Sequence, residues 1–305
     1  MKILVLDEFA EHYEPLLAGT DASVTFASDP AAVAESADIL LAQPDFAADY
    51  LARGLETNWI QSTWAGVTPL VRIARERGVL VTGLKGIFGP LIAEYVFAHI
   101  LADAGRLGDF ARSQATGRWQ PVWPGTIHGK RMAIVGTGSI GVHVAGVARH
   151  FGMLTRGISR SGREVAAFDE VFASGSLREA MNEVDYLVLT LPDTPATRHL
   201  VDASVLAALP DRAMLINVGR GATLDDSALI AAMQRQALRK AVLDVFETEP
   251  LPPGHPYWSM EKVTVTPHVA AMSRPRDVAA IFRTNLVRYL AGESLLHQIN
   301  LEQGY

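Results

Sequence analysis

Short apolar runs recur along the whole chain, and stretches with helical spacing separate them. In the first third, 3–6, 24–26, 39–41, 59–61 and 79–81 read as strands, with 30–37 and 68–77 as helices between them. Alternation of this kind implies a parallel sheet with crossover helices. A helical segment follows over 90–113, and its first part, PLIAEYVFAHILA, is apolar nearly all round, as a buried helix is. The Trp/Pro/Gly-rich stretch 117–125, with Trp119 and Trp123, breaks the helix and reads as a connector or arm. A second strand series begins at 132–135 and continues through 154–158, 171–173, 186–190, 214–217, 241–245 and 263–266. Most of these runs are rich in Val, Ile and Leu without clean alternation, as expected of strands buried on both faces. The last element is a helix over 275–291, with Ser273 and the following Pro275 reading as its start.

Composition narrows the functional classes. At 305 residues and 49% hydrophobic content the chain can bury two sizeable cores. The net charge of -6 and the lack of any basic run argue against a nucleic-acid partner. With no cysteine, disulfides and thiolate metal sites are excluded, and no metal is expected. No apolar run approaches the ~20 residues that span a bilayer, and the start is too short for a signal peptide. A cytoplasmic protein without a membrane partner is expected.

Two features carry chemistry. GTGSIG (136–141) follows a strand and opens a helix. Gly136 allows the tight turn, Gly138 lets main chain approach a pyrophosphate, and Gly141 allows helix and strand to pack closely. Ser139 and Ile140 begin the helix, whose N-terminus favours anions. The acidic residue that would bind an adenosine ribose about 20 residues further on is missing. The next strand ends in Ser159-Arg160-Ser161-Gly162-Arg163 instead. Arginine pairs with a 2′-phosphate that a carboxylate would repel, so NADP(H) is the expected cofactor, through Ser159, Arg160 and then Arg163, with NAD(H) the alternative.

The second feature is a trio. Three successive strand runs end in Val218-Gly219-Arg220-Gly221, in Glu247-Thr248-Glu249-Pro250 and in Pro267-His268. Ligands bind outside the carboxyl ends of an open parallel sheet. A cation, a carboxylate and an imidazole converging there make a carboxylate anchor with a general acid/base. His268 is the candidate proton donor, because imidazole titrates near neutrality. A carboxylate beside it would orient the ring, and Arg220 would clamp and polarise an oxoacid.

The ordered set GTGSIG, LPDTPAT (191–197), INVGRGA (216–222), LDVFETEPLP (243–252) and TPHVA (266–270) resembles the D-2-hydroxyacid dehydrogenase family. Ser159-Arg160-Ser161 and the residues after His268 resemble its glyoxylate/hydroxypyruvate reductase branch most. The resemblance implies two doubly wound α/β domains with parallel sheets. A Rossmann dinucleotide domain, 99–272, would be inserted into a flavodoxin-like substrate domain made of 1–98 and 273–305. It also implies closure over substrate, and a homodimer built around Trp119 and Trp123. The family's Glu-Pro pairing picks Glu249, not Glu247, as the partner of His268. By the same resemblance, Leu191, Pro192 and Thr197 line the adenosine side. Val218, Gly219 and Asp244 lie by the nicotinamide, and His268 and Ala270 adjoin the cofactor. Ala65, Gly66 and Val67 hold the substrate carboxylate with Arg220. The expected activity is reduction of small 2-oxoacids with NADPH. The alternatives are an NAD-dependent dehydrogenase of another 2-hydroxyacid, such as 3-phosphoglycerate, and a non-catalytic dinucleotide-sensing protein.

Overall fold

The computed structural model describes residues 1–302, so the last three residues of the expected 273–305 segment lie outside the described residues. The chain divides into two compact units. One is Met1–Ile87 with the segment from Ser273 onward, and the other is Phe88–Met272. The second is thus inserted into the first. The sequence boundary at 98 falls inside an unbroken helix, Phe88–Ala104. Val96, Phe97 and Ile100 of that helix are buried, and Phe97 stacks on Phe151 of the same unit at 5.2 Å, so the whole helix belongs with the second unit.

In the first unit, Lys2–Leu6 (β1), Ser23–Ala27 (β2), Ile39–Ala42 (β3), Trp59–Ser62 (β4) and Leu80–Thr82 (β5) form a parallel sheet in the order β2-β1-β3-β4-β5. This is the flavodoxin-like order. β3 and β4 are buried throughout, which is why their sequences do not alternate. The returning helix Pro275–Leu290 packs Val278, Phe282 and Leu286 against Ile3, Val5, Ile39 and Trp59, and the Trp59 and Phe282 rings stack at 5.3 Å. A buried amide network fixes that return. The Asn285 side chain donates to Gln61 Oε1 (3.1 Å) and accepts from the Leu296 N–H (2.8 Å).

The second unit holds Arg131–Val135 (β6), Leu154–Ser159 (β7), Glu170–Ala173 (β8), Tyr186–Leu189 (β9), Met214–Asn217 (β10), Lys240–Leu243 (β11) and Val263–Val265 (β12). They form one parallel sheet ordered β12-β11-β10-β9-β6-β7-β8. The chain winds outward from β6 to β8, then restarts beside β6 with β9. That reversal leaves a crevice at the carboxyl ends of β6 and β9, where a doubly wound sheet takes its ligand. The core beneath is continuous, running from Val135 and Ile158 through Leu187 and Leu215 to Leu243.

Three expected elements differ. The helix over 30–37 is a single 3-10 turn, Pro30–Ala32, because Val33 is extended (φ -86°, ψ 117°). The segment 90–113 is two helices, Phe88–Ala104 and Leu107–Ala115, broken where Arg106 takes a left-handed φ of 54° after Gly105. The last helix is preceded by Arg274 at its N-cap rather than Ser273, and no side chain caps it.

Candidate active site

Every residue of the trio comes from a turn at the carboxyl edge of the seven-stranded sheet. β10 ends at Asn217, a polar residue closing an otherwise apolar strand. The Asn217 side chain accepts from the Gly219 N–H (3.1 Å) and donates to the Arg220 carbonyl (3.2 Å), so it shapes the turn that presents Arg220. Gly219 and Gly221 are required by space. A Cβ on Gly219 would lie 2.7 Å from the Leu191 carbonyl oxygen, and one on Gly221 would overlap the Phe246 main chain. Among the described residues, the guanidinium hydrogen-bonds only to the Gly219 carbonyl (2.7 Å) and forms no ion pair, so most of its N–H groups are available to a ligand. Burial lowers the Arg220 pKa, while the charges of Glu249 and Asp193 oppose that shift. Arginine remains charged regardless.

His268 sits just past β12 in a left-handed conformation, φ 55°, which histidine tolerates better than most residues. Its Nδ1 lies 2.7 Å from Glu249 Oε2. Because an ionised carboxylate can only accept, Nδ1 carries the proton and Nε2 is left for the reacting group. The other oxygen, Glu249 Oε1, accepts from the Phe246 N–H (2.9 Å), which fixes the carboxylate plane. Burial pushes the Glu249 carboxyl up. The hydrogen bonds from His268 and Phe246 and the charges of His268 and Arg220 outweigh it and hold the group below its ordinary value. Glu247 faces elsewhere, 3.5 Å from His199 Nε2 and 3.8 Å from Arg198. Glu249 is therefore the histidine's partner.

Asp244, 1% exposed, lies beneath this turn. Its Oδ1 accepts from the Thr266 hydroxyl (2.6 Å) and the Val269 N–H (2.9 Å), and its Oδ2 from the Ala270 N–H (2.9 Å). Expected as a cofactor contact, Asp244 here fastens the turn that carries His268 and Ala270.

The glycine loop joins β6 to the helix Ser139–His150. Gly136 has φ 116°, and a Cβ there would meet Thr190 Oγ1 at 2.5 Å. A Cβ on Gly141 would overlap the Gly136 carbonyl oxygen, while around Gly138 there is open space. Loop closure, close packing and room over a helix N-terminus are thus divided among the three glycines, as a bound pyrophosphate needs. At the end of β7, Ser159 Oγ accepts from the Gly162 N–H (3.1 Å) and shapes the turn. Arg160 and Arg163 are exposed, and among the described residues neither guanidinium forms an ion pair. Thr197 Oγ donates to the Pro192 carbonyl (2.7 Å), bracing the loop from Leu191. Val218 is buried, with its N–H on the Leu189 carbonyl.

Ala65, Gly66 and Val67 belong to the first unit, between β4 and the helix Thr68–Arg77, with Ala65 exposed and Val67 buried. Sequence reasoning missed Asn217 and Phe246, which orient Arg220 and Glu249. A polar end to the run MLIN was a readable signal for the first; a main-chain N–H leaves none.

Residues 97–270 match the NAD binding domain of the D-isomer specific 2-hydroxyacid dehydrogenases. A glyoxylate reductase from Aeropyrum pernix is 33% identical over 243 residues, 76% of this chain and 72% of the relative. The crystal structure of a D-isomer specific 2-hydroxyacid dehydrogenase family protein from Aeromonas salmonicida subsp. salmonicida superposes with a TM-score of 0.93 at 38% identity, covering 98% of this chain and 99% of that one. An NADPH-dependent glyoxylate/hydroxypyruvate reductase from Sinorhizobium meliloti, solved with NADP and sulfate, gives a TM-score of 0.86 at 26% identity, covering 100% and 99%. With the glycine loop, the arginine turn and the Glu249–His268 pair on one sheet edge, the chain belongs to the D-isomer specific 2-hydroxyacid dehydrogenase family of oxidoreductases.

Proposed function

We propose that this member of the family reduces small 2-oxoacids, glyoxylate and hydroxypyruvate, to D-2-hydroxyacids with NADPH. The observation that carries the reading is the 2.7 Å bond between His268 Nδ1 and Glu249, on the same sheet edge as Arg220 and the glycine loop. The unit Phe88–Met272 takes the dinucleotide role, and the unit beginning at Met1 the substrate role. Arg220 binds the substrate carboxylate, and its charge draws electron density from the carbonyl; in the first unit, Ala65, Gly66 and Val67 are the residues assigned to substrate. NADPH, when bound, supplies the hydride. His268 Nε2 gives its proton to the carbonyl oxygen as that oxygen becomes a hydroxyl, and Glu249 balances the charge of the imidazolium before that transfer. In the reverse direction the same nitrogen takes the proton back.

The cofactor assignment rests on the residues that would hold it. The open space at Gly138 and the helix N-terminus at Ser139 and Ile140 suit a pyrophosphate. Arg160 and Arg163 suit a 2′-phosphate with Ser159, and no acidic side chain stands in this turn. The NADPH dependence of the Sinorhizobium meliloti relative supports the same choice. Leu191, Pro192 and Thr197 are assigned to the adenosine side, and Val218, Gly219, Asp244 and Ala270 to the nicotinamide side. A homodimer through the arm is part of the reading; Trp119 and Trp123 are 98% and 93% exposed in the single chain. The test is a steady-state assay of glyoxylate, hydroxypyruvate, phosphohydroxypyruvate and larger 2-oxoacids against NADPH and NADH, with chiral analysis of the product. Turnover of the two small oxoacids with higher kcat/KM for NADPH is expected; no turnover with any pair would refute the reading.

A further inference from the structure

The turn that carries His268 is anchored from a distant part of the chain. Tyr95, on the helix Phe88–Ala104, places its hydroxyl 2.6 Å from Thr266 Oγ, which in turn lies 2.6 Å from Asp244 Oδ1. The direction of these bonds follows from counting protons. The Asp244 carboxylate can only accept, and a threonine hydroxyl has one proton to give. Thr266 therefore donates to Asp244, and Tyr95 donates to Thr266. The phenol holds its proton firmly, because burial pushes its pKa up to about 12. The His99 ring, one turn along the same helix, lies 4.6 Å from the Tyr95 ring and limits its swing.

Asp244 is also where the turn converges. The Thr266 hydroxyl, the Val269 N–H and the Ala270 N–H reach its carboxylate, and the His268 N–H reaches its main-chain carbonyl at 2.8 Å. His268 sits between these fastenings in a left-handed conformation that the turn must hold. A hydroxyl free to rotate at Thr266 would loosen the first of them, two residues before the imidazole.

We propose that Tyr95 is a positioning residue for His268, acting through Thr266 and Asp244 to fix the imidazole against Glu249. The inference rests on the reading of His268 as the proton-transfer group, but its effect on the ring can be measured without turnover. Tyr95→Phe removes one hydroxyl and keeps the ring. Thr266→Val removes the relay hydroxyl, and Thr266→Ser restores it. In protein labelled with 15N-histidine, the His268 signals are identified by their absence in His268→Gln. Tyr95→Phe and Thr266→Val should displace the Nδ1 and Nε2 signals alike, and Thr266→Ser should keep them in the wild-type position. In the reductase assay the first two should lower kcat about fivefold, the usual effect of losing one hydrogen bond, with KM for NADPH unchanged. Combined, they should do no more harm than either alone, since both break one chain. Wild-type signals and kcat in Thr266→Val, or additive losses in the double variant, would overturn the proposal. If Tyr95→Phe does not fold, the Thr266→Val and Thr266→Ser pair decides. A wild type with no turnover would sink the functional reading, while the 15N signals would still decide the relay.

Discussion

Replacing Glu249 with Gln separates charge from shape at the centre of the site. Glu249 accepts two hydrogen bonds, from His268 Nδ1 at 2.7 Å and from the Phe246 N–H at 2.9 Å. Gln has one carbonyl oxygen for these two donors and turns an NH2 toward the other. A hydrogen bond to a charged group contributes about 1.5–3 kcal/mol. His268 and Glu249 side chains are 48% and 36% exposed, so solvent screening places this bond at about 1.5 kcal/mol. That alone is about tenfold in rate, and the frustrated second donor extends the expected loss in kcat/KM to about 10–100-fold.

Stability should respond with a definite sign. The Glu249 carboxyl is held below its ordinary value: burial raises it, but the bonds from His268 and Phe246 and the charges of His268 and Arg220 win. Its contribution is therefore present at neutral pH and lost as pH falls through the lowered folded-state value. The wild type should exceed Glu249→Gln in stability at pH 7 by about 1.5 kcal/mol after solvent screening, a Tm difference of about 3–6 °C. The difference should close in acid below the ordinary carboxylate range. Kinetics with glyoxylate and NADPH, and thermal melts across pH, measure both effects. Unchanged kcat/KM, or a Tm gap that stays open in acid, would refute this account of the pair.

Three further variants test other parts of the site. Arg220→Lys keeps the charge but loses the planar fork, so KM for the oxoacid should rise about tenfold or more in steady-state assays. Gly141→Ala places a Cβ onto the Gly136 carbonyl oxygen; NADPH binding, followed by fluorescence titration, should be lost or greatly weakened because the loop must move. Arg160→Ala should raise KM for NADPH about tenfold and leave KM for NADH unchanged; equal effects on both would show that the side chain does not read the 2′-phosphate.

What could be read from the sequence follows from where the information resides. The twelve strands among the described residues were legible: fully buried ones such as ILLA (39–42) and YLVL (186–189) write their burial into unbroken apolar runs, and the partly exposed ones, such as Ser23–Ala27, are short runs rich in β-branched and aromatic residues. Alanine misled at 30–37, where helix propensity is high but only Val33 and Ala37 are buried, too few to form a packed face. The helix Pro44–Ala52 went unplaced, although Pro44 at its first position and buried Ala47, Tyr50 and Leu51 mark it. In the site, the glycine loop and the strand-end positions of Arg220, His268 and an acidic residue could be read from local chemistry. The partition between Glu247 and Glu249 could not be read from spacing; it needed the family's Glu-Pro pattern, and the structure shows it as two separate ion pairs. Nor could the Tyr95–Thr266 contact be read, since it joins residues 171 positions apart and has no local signature.

The role of His268 is the claim on which the account turns, and single-turnover reduction of glyoxylate by His268→Gln with bound NADPH tests it directly. The variant should bind NADPH as the wild type does, by fluorescence titration, and its reduction rate should fall by about a hundredfold or more. A variant that binds NADPH and reduces glyoxylate at the wild-type rate would contradict the account.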